Sequence, residues 1–320
     1  EFKDMLMINT RKCFNSYFVD LNKARRVKDP NFSRPRKKKI YKGPHLLIKR
    51  GTQNNRCVSG IVLDEVMFTH SIDSITAPEK NEYFLKILRY LETIINSKLC
   101  TYFHFHNAPS WGVERNQIMK SDSEKLPIPD FEKNRQLSNK LVNKANKIED
   151  IAQKIVIQYK EKNKCTDIKK KNKLTYKINK LKKKFNEIQF NIDQKIYDLY
   201  ELNNFEREIV EYTHDFLIDY FNNKSYPSKI KGLKNARKID LKNYAKKLIN
   251  HFNFILSKEN KCIEAHIYNS VFYTGINFKI VKRNDLKNIS FHDNEINTFI
   301  NNIGFSSINK VTNKIYINRN

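Results

Sequence analysis

The sequence predicts an α+β protein. Its expected parts are an N-terminal domain mixing strands and helices, a long antiparallel helical hairpin and a small C-terminal α+β domain. Three observations predict this. Strand-like alternation gives way to helical period within the first 130 residues. Two long apolar stripes at spacings of three and four follow, over residues 137–159 and 174–199. Shorter helix and strand patterns return after residue 203. The expected divisions are therefore 1–130, 131–202 and 203–320.

In the first part, "HLLIK" (45–49) reads as a strand, and "CVSGIVLDEVMFTHSIDSI" (57–75) as further strands around turns. Phe84, Leu88, Leu91, Ile95, Leu99 and Tyr102 then recur at three and four, which predicts one helix from near Asn81 through Phe105. On such a helix His104 and His106 stand about 200° apart and do not share a metal ion, so no metal is expected. They are expected to support the loop from Trp111 to Arg115. Pro127 and Pro129 mark an extended exit from that loop.

In the second part, Leu137, Leu141, Ala145, Ile148, Ala152, Ile155 and Tyr159 form one stripe. Leu174, Ile178, Leu181, Phe185, Ile188, Ile192, Ile196 and Leu199 form another. Each predicts an amphipathic helix of about 40 Å. "KEKNKCTDIKKKNK" (160–173) joins them as a basic tip. Residues 160–184 hold twelve lysines and two acids, Glu161 and Asp167. Both a solvated coiled-coil face and a phosphate-contacting one fit that run.

In the third part, "FEREIVEYTHDFLIDYF" and "LKNYAKKLINHFNFIL" read as helices, and two strands flank Asn269-Ser270. "NEINTFINNI" reads as a short helix and "KIYINRN" as a final strand. No catalytic constellation stands out there.

Charge points to the partner. The chain carries 61 Lys and Arg against 34 Asp and Glu, a net +27, which favours a polyanion. A Lys- and Asn-rich composition explains Lys over Arg, but not the scarcity of acids. No acid lies between Asp29 and Asp64. Arg34, Arg36, Lys37, Lys38, Lys39, Lys42 and Lys49 in that stretch are candidate phosphate contacts. Arg50, Gln53, Asn54, Asn55 and Arg56 are candidate base readers, since Arg suits guanine and the amides suit adenine. Trp111 and Arg115 are a second pair of candidates.

Other chemistries lack their residues. Seven glycines and no GxG exclude a dinucleotide fingerprint and a phosphate-cradling glycine loop. No two prolines are adjacent, so the Asn-Pro-Pro-aromatic signature of adenine methylation is missing. Cys13, Cys57, Cys100, Cys165 and Cys262 show no CxxC spacing, and their scatter predicts a reducing, cytoplasmic setting. No apolar run predicts a membrane span. Asp240 with Glu259-Asn-Lys261 fits a loose metal-nuclease pattern, which arises easily by chance in a Lys-rich chain.

"HLLIKRG", "IINSKLCTYFHF", "VERNQIMKSDSEKLPIPDF" and a long helix occur in that order. This resembles the target-recognition region of adenine-N6 DNA methyltransferases, of type IIG restriction enzymes and of type I specificity subunits. "IDQKIYDLYELNNFEREIV" (192–210) is similar to the helix end that often follows, with Glu201 where Gly is usual. The resemblance covers residues 40–212. It implies a target-recognition domain that binds double-stranded DNA and is not catalytic by itself. It also implies a methyltransferase domain or subunit binding S-adenosylmethionine, upstream of Glu1 or on another chain. The helical spacer would dock that partner or a second copy of the chain as a homodimer. An RNA-binding or phage-defence accessory component and a nuclease using Asp240, Glu259 and Lys261 are the alternatives.

Overall fold

A computed structural model describes residues 2–29, 37–109, 111, 117–223, 237–256, 260–269, 273–282, 289–293 and 315–318. The fold is α+β, as expected. The chain divides into two compact units, residues 1–202 with 206–229, and 203–205 with 230–320.

The first unit opens with short strands β1 (Leu6–Met7), β2 (Phe14–Asn15), β3 (Phe18–Val19) and β4 (Arg25–Arg26). Its main sheet contains β5 (His45–Gln53) between β6 (Arg56–Val62) and β8 (Ile72–Thr76), both antiparallel to it. β7 (Val66–Met67) instead pairs in parallel with β1. The sheet is covered on both faces, which explains why β6 alternates poorly in sequence. Leu47, Val58 and Val62 pack with Phe14, Val19, Tyr41 and Phe68. Their chain neighbours Leu46, Cys57 and Ile61 face the other way, toward Leu88, Ile95, Cys100 and Trp111. Gly60 is needed because a Cβ there would lie 2.9 Å from a Val19 methyl.

The expected single helix from Asn81 is two helices, α1 (Glu82–Ile95) and α2 (Lys98–Asn107). Asn96 ends the first, and the Ser97 hydroxyl caps the second by accepting from the Cys100 amide at 3.0 Å. The apolar period runs through the break, so the stripe hides it. The Asn96 side chain then pairs with strand β6: Oδ1 accepts from the Ser59 amide at 3.1 Å and Nδ2 donates to the Ser59 carbonyl at 3.2 Å. The "INSK" segment is therefore a joint between helix and sheet.

After the short helix α3 (Lys120–Ser123) come α4 (Arg135–Lys164) and α5 (Ile168–Leu199), which pack along one another. At 1.5 Å per residue they are about 45 Å long. Asp167 caps α5, accepting from the Lys169 amide at 2.8 Å. Ile148 of α4 and Ile192 and Ile196 of α5 share a core with Tyr90 and Ile94 of α1. No residue of α4 beyond Ala152 is fully buried. The hairpin is thus rooted in the first unit rather than a separate spacer over 131–202. α5 ends in a Schellman turn: the Leu202 amide donates to the Tyr197 carbonyl at 2.9 Å and the Glu201 amide to Asp198 at 3.1 Å. Glu201 takes the left-handed conformation, φ 55°, that the turn requires.

α6 (Asn204–Tyr212) continues through a π-helical turn, Thr213–Leu217, into α7 (Ile218–Asn223). Ile218 packs against the sheet core, and Lys98 pairs with Glu211. These contacts put residues 206–229 with the first unit, where a boundary at 203 was expected.

In the second unit, α8 (Lys238–Leu256) covers a four-stranded sheet. β9 (Lys261–Asn269) and β10 (Tyr273–Lys282) form the expected antiparallel pair. β11 (Ile289–Asp293) adds in parallel to β9, and β12 (Ile315–Asn318) antiparallel to β10. Leu241, Ala245 and Ile249 on one helix face meet Ile263, Ala265 and Ile267 at alternate positions of β9. The expected helix over 294–303 lies outside the described residues.

Candidate nucleic-acid interface

The segment expected as an amide-rich loop is a two-residue hairpin turn. Gln53 pairs with Arg56, and Asn54 and Asn55 take φ of 52° and 58°. Two left-handed residues in a row suit a primed turn, and Asn tolerates that conformation better than other side chains. Asn55 is held on one side, donating to Asp219 at 3.2 Å and accepting from Asn222 at 3.0 Å. Asn54 is exposed.

Beside this turn lies a cleft of about 620 Å³ between the β2–β3 turn, the β5–β6 turn and the long helices. Amides from Asn15, Gln53, Asn54, Asn163 and Asn186 line it, with Lys23, Lys160 and Lys182 and the ring of Tyr159. Among the described residues no carboxylate lines it. Buried Asp20 sits behind, holding Lys160 at 3.0 Å and Lys23 at 3.8 Å. Lys182 lies over the Tyr159 ring. Asn15, Tyr159, Asn163 and Asn186 were not among the expected site residues. Their separation in sequence hides the cleft, and only the basic character of 160–184 signalled it.

The other expected base readers are placed differently. Arg56 is enclosed and makes a two-point ion pair with Asp193, at 3.0 and 2.6 Å, while also donating to the Asn96 carbonyl. Arg50 pairs with Asp73 across the sheet at 2.9 Å. Trp111 is buried in the core against Phe105. Arg56 and Trp111 are enclosed and present no edge to a base, whereas Arg50 is half-buried and held by Asp73. Arg115 lies outside the described residues.

Among the expected phosphate contacts, Arg34 and Arg36 lie outside the described residues. Lys37, Lys39 and Lys42 are exposed and Lys38 half-buried around a short 3-10 turn. Tyr41 pins that turn by burying its ring against Phe2 and Phe68. Lys49 is half-buried, and burial together with nearby Arg11 lowers its pKa. The hairpin tip presents Lys169, Lys170, Lys171 and Lys173, all exposed, with Tyr176 exposed among them.

His104 and His106 stand apart on α2, as expected: His104 is buried, while His106 is exposed and packs on Tyr102. His104 does converge with two cysteines, Cys57 and Cys100, which sequence spacing did not bring together. Of the nuclease pattern, Asp240 pairs with Arg237 at 3.0 Å, and Glu259 lies outside the described residues. No helix among the described residues is long and apolar enough to cross a membrane. No protein-family model matches the chain, and no curated protein is significantly similar to it.

Proposed function

We propose that this chain recognises double-stranded DNA and acts as the specificity portion of an adenine-N6 DNA methyltransferase or restriction-modification system, in the setting of phage defence. It positions a separate domain or subunit that binds S-adenosylmethionine and transfers the methyl group, and it is not catalytic by itself. The observation that carries this reading is the cleft beside the Asn54–Asn55 turn, where amides and lysines meet with no carboxylate among the described residues. Lysines there and on the arm neutralise phosphates, and the amides of Gln53 and Asn54 reach base edges. In this reading the first unit contains the target-recognition domain. The α4–α5 arm is the spacer on which the catalytic partner or a second copy docks.

The test is binding of the chain to a pool of random duplexes, selected over several rounds. Enrichment of a motif that is lost in a Gln53→Ala, Asn54→Ala chain supports the reading. Equal binding to all sequences by both chains refutes the specificity role. RNA binding is a second reading, favoured by Tyr176, a residue 71% exposed beside the tip lysines and available for stacking. Competition of labelled duplex DNA with single-stranded RNA separates the two.

A further inference from the structure

The buried thiols of Cys57 and Cys100 and the imidazole of His104 converge behind the turn. One ligand atom from each lies within 4.8 Å of the other two, and all three residues are buried. Cys100 and His104 are four apart on α2 and share a helix face; Cys57 comes from β6, opposite. The Nδ1 atom of His104 is buried and has no hydrogen-bond partner among the described residues. A buried imidazole that lies beside two thiols and carries such an atom needs an explanation, since unpaired buried polar atoms are costly. Cys57 and His104 also line a cavity of about 450 Å³, which gives a small ion a route in and leaves one side of the trio open.

We propose that Cys57, Cys100 and His104 bind a zinc ion, with the fourth position facing the cavity. Two sulfurs and one imidazole nitrogen are a donor set that zinc prefers, and an open fourth position is common where three protein groups bind it. Charge supports the same ion. Two thiolates cancel a divalent cation, so the loaded site buries no net charge, and the two thiol protons leave to solvent. The zinc would tie β6 to α2 two residues after Asn55. It would thereby fix the hairpin turn relative to the helices, whatever the turn recognises.

The test uses the purified, reduced, full chain stripped with a chelator and titrated with Co²⁺. One equivalent should bind, with thiolate-to-cobalt charge-transfer absorption and the visible bands of a tetrahedral ion, and Zn²⁺ should bleach both. Cys57→Ser, Cys100→Ser and His104→Gln should each lose the bound equivalent, while Cys165→Ser, on the arm, should keep it. Far-UV circular dichroism of each stripped variant reports whether it folds. If a variant does not fold, X-ray absorption of the zinc-loaded native chain decides, with two sulfur neighbours expected. A native chain that folds without showing the charge-transfer band overturns the site. So does a band that survives in a Cys57→Ser, Cys100→Ser chain, or a zinc shell without sulfur.

Discussion

Arg56 and Asp193, 137 residues apart in sequence, meet in a two-point ion pair at 3.0 and 2.6 Å. The Asp193 carboxylate also accepts from the Lys98 amide at 3.0 Å, at the start of α2. One buried carboxylate thus joins β6, α2 and α5, and an anion at a helix N-terminus is favourably placed. Breaking such a pair leaves a charge buried without a partner. Arg56→Ala should therefore cost about 3–5 kcal/mol of stability. Urea unfolding of Arg56→Ala, Asp193→Ala and the double variant would measure this. The double variant should lose less than the sum of the single losses, and additive losses would contradict the coupling.

Glu201 occupies a left-handed position at the end of α5, with φ of 55°. A non-glycine residue there costs about 1 kcal/mol or more. Glu201→Gly should raise stability by roughly 1 kcal/mol, because it removes that strain without touching the two turn hydrogen bonds. A higher urea midpoint at unchanged slope is the expected result. A lower midpoint would mean that the Glu201 side chain contributes more than its backbone costs.

Glu92 is fully buried on α1 and pairs with Arg89 at 2.9 Å. Burial outweighs that pair and pushes its carboxyl up to about 8. A raised folded pKa means the folded chain holds a proton that the unfolded chain releases above the ordinary carboxylate range. The contribution is full below pH 4.5 and is lost as pH rises through about 8. Glu92→Gln keeps the shape without the charge, so it should flatten the fall in stability across that window. Thermal melts from pH 5 to 9 check this, and an unchanged pH slope would contradict it.

His45 is buried in β5, its ring against Phe68 and both nitrogens without hydrogen-bond partners among the described residues. Burial lowers its pKa to about 4. Its contribution is therefore present above pH 6.5 and lost as pH falls toward 4. His45→Leu should hold stability at pH 7 and soften the acid limb of the melting curve. An acid limb as steep as the native one would place the acid sensitivity elsewhere.

The fold was legible where one period ran long. The stripes from Leu137 and Leu174 gave α4 and α5, while the cap that Asp167 supplies between them emerged only with the structure. The break at Asn96-Ser97 was not, because apolar residues keep helical spacing across it. Only a polar pair able to cap marks the change of direction. The site was half legible. Gln53 and Asn54 lie on the cleft, while Arg56, adjacent in sequence, turns inward to a carboxylate contributed by a distant helix. Charge at a position says nothing of the partner that tertiary packing supplies. The same limit hid the thiol pair: Cys100 and His104 show helical i, i+4 spacing, but Cys57 arrives from β6.

The measurement closest to the central claim is the affinity of the chain for a labelled DNA duplex over a range of salt concentrations. The basic cleft and arm predict that log K falls linearly with log salt, each neutralised phosphate adding about 0.9 to the slope. Replacing Lys169, Lys170 and Lys171 by Gln should lower that slope by about 1–3. A flat plot for the native chain would contradict duplex binding through these lysines.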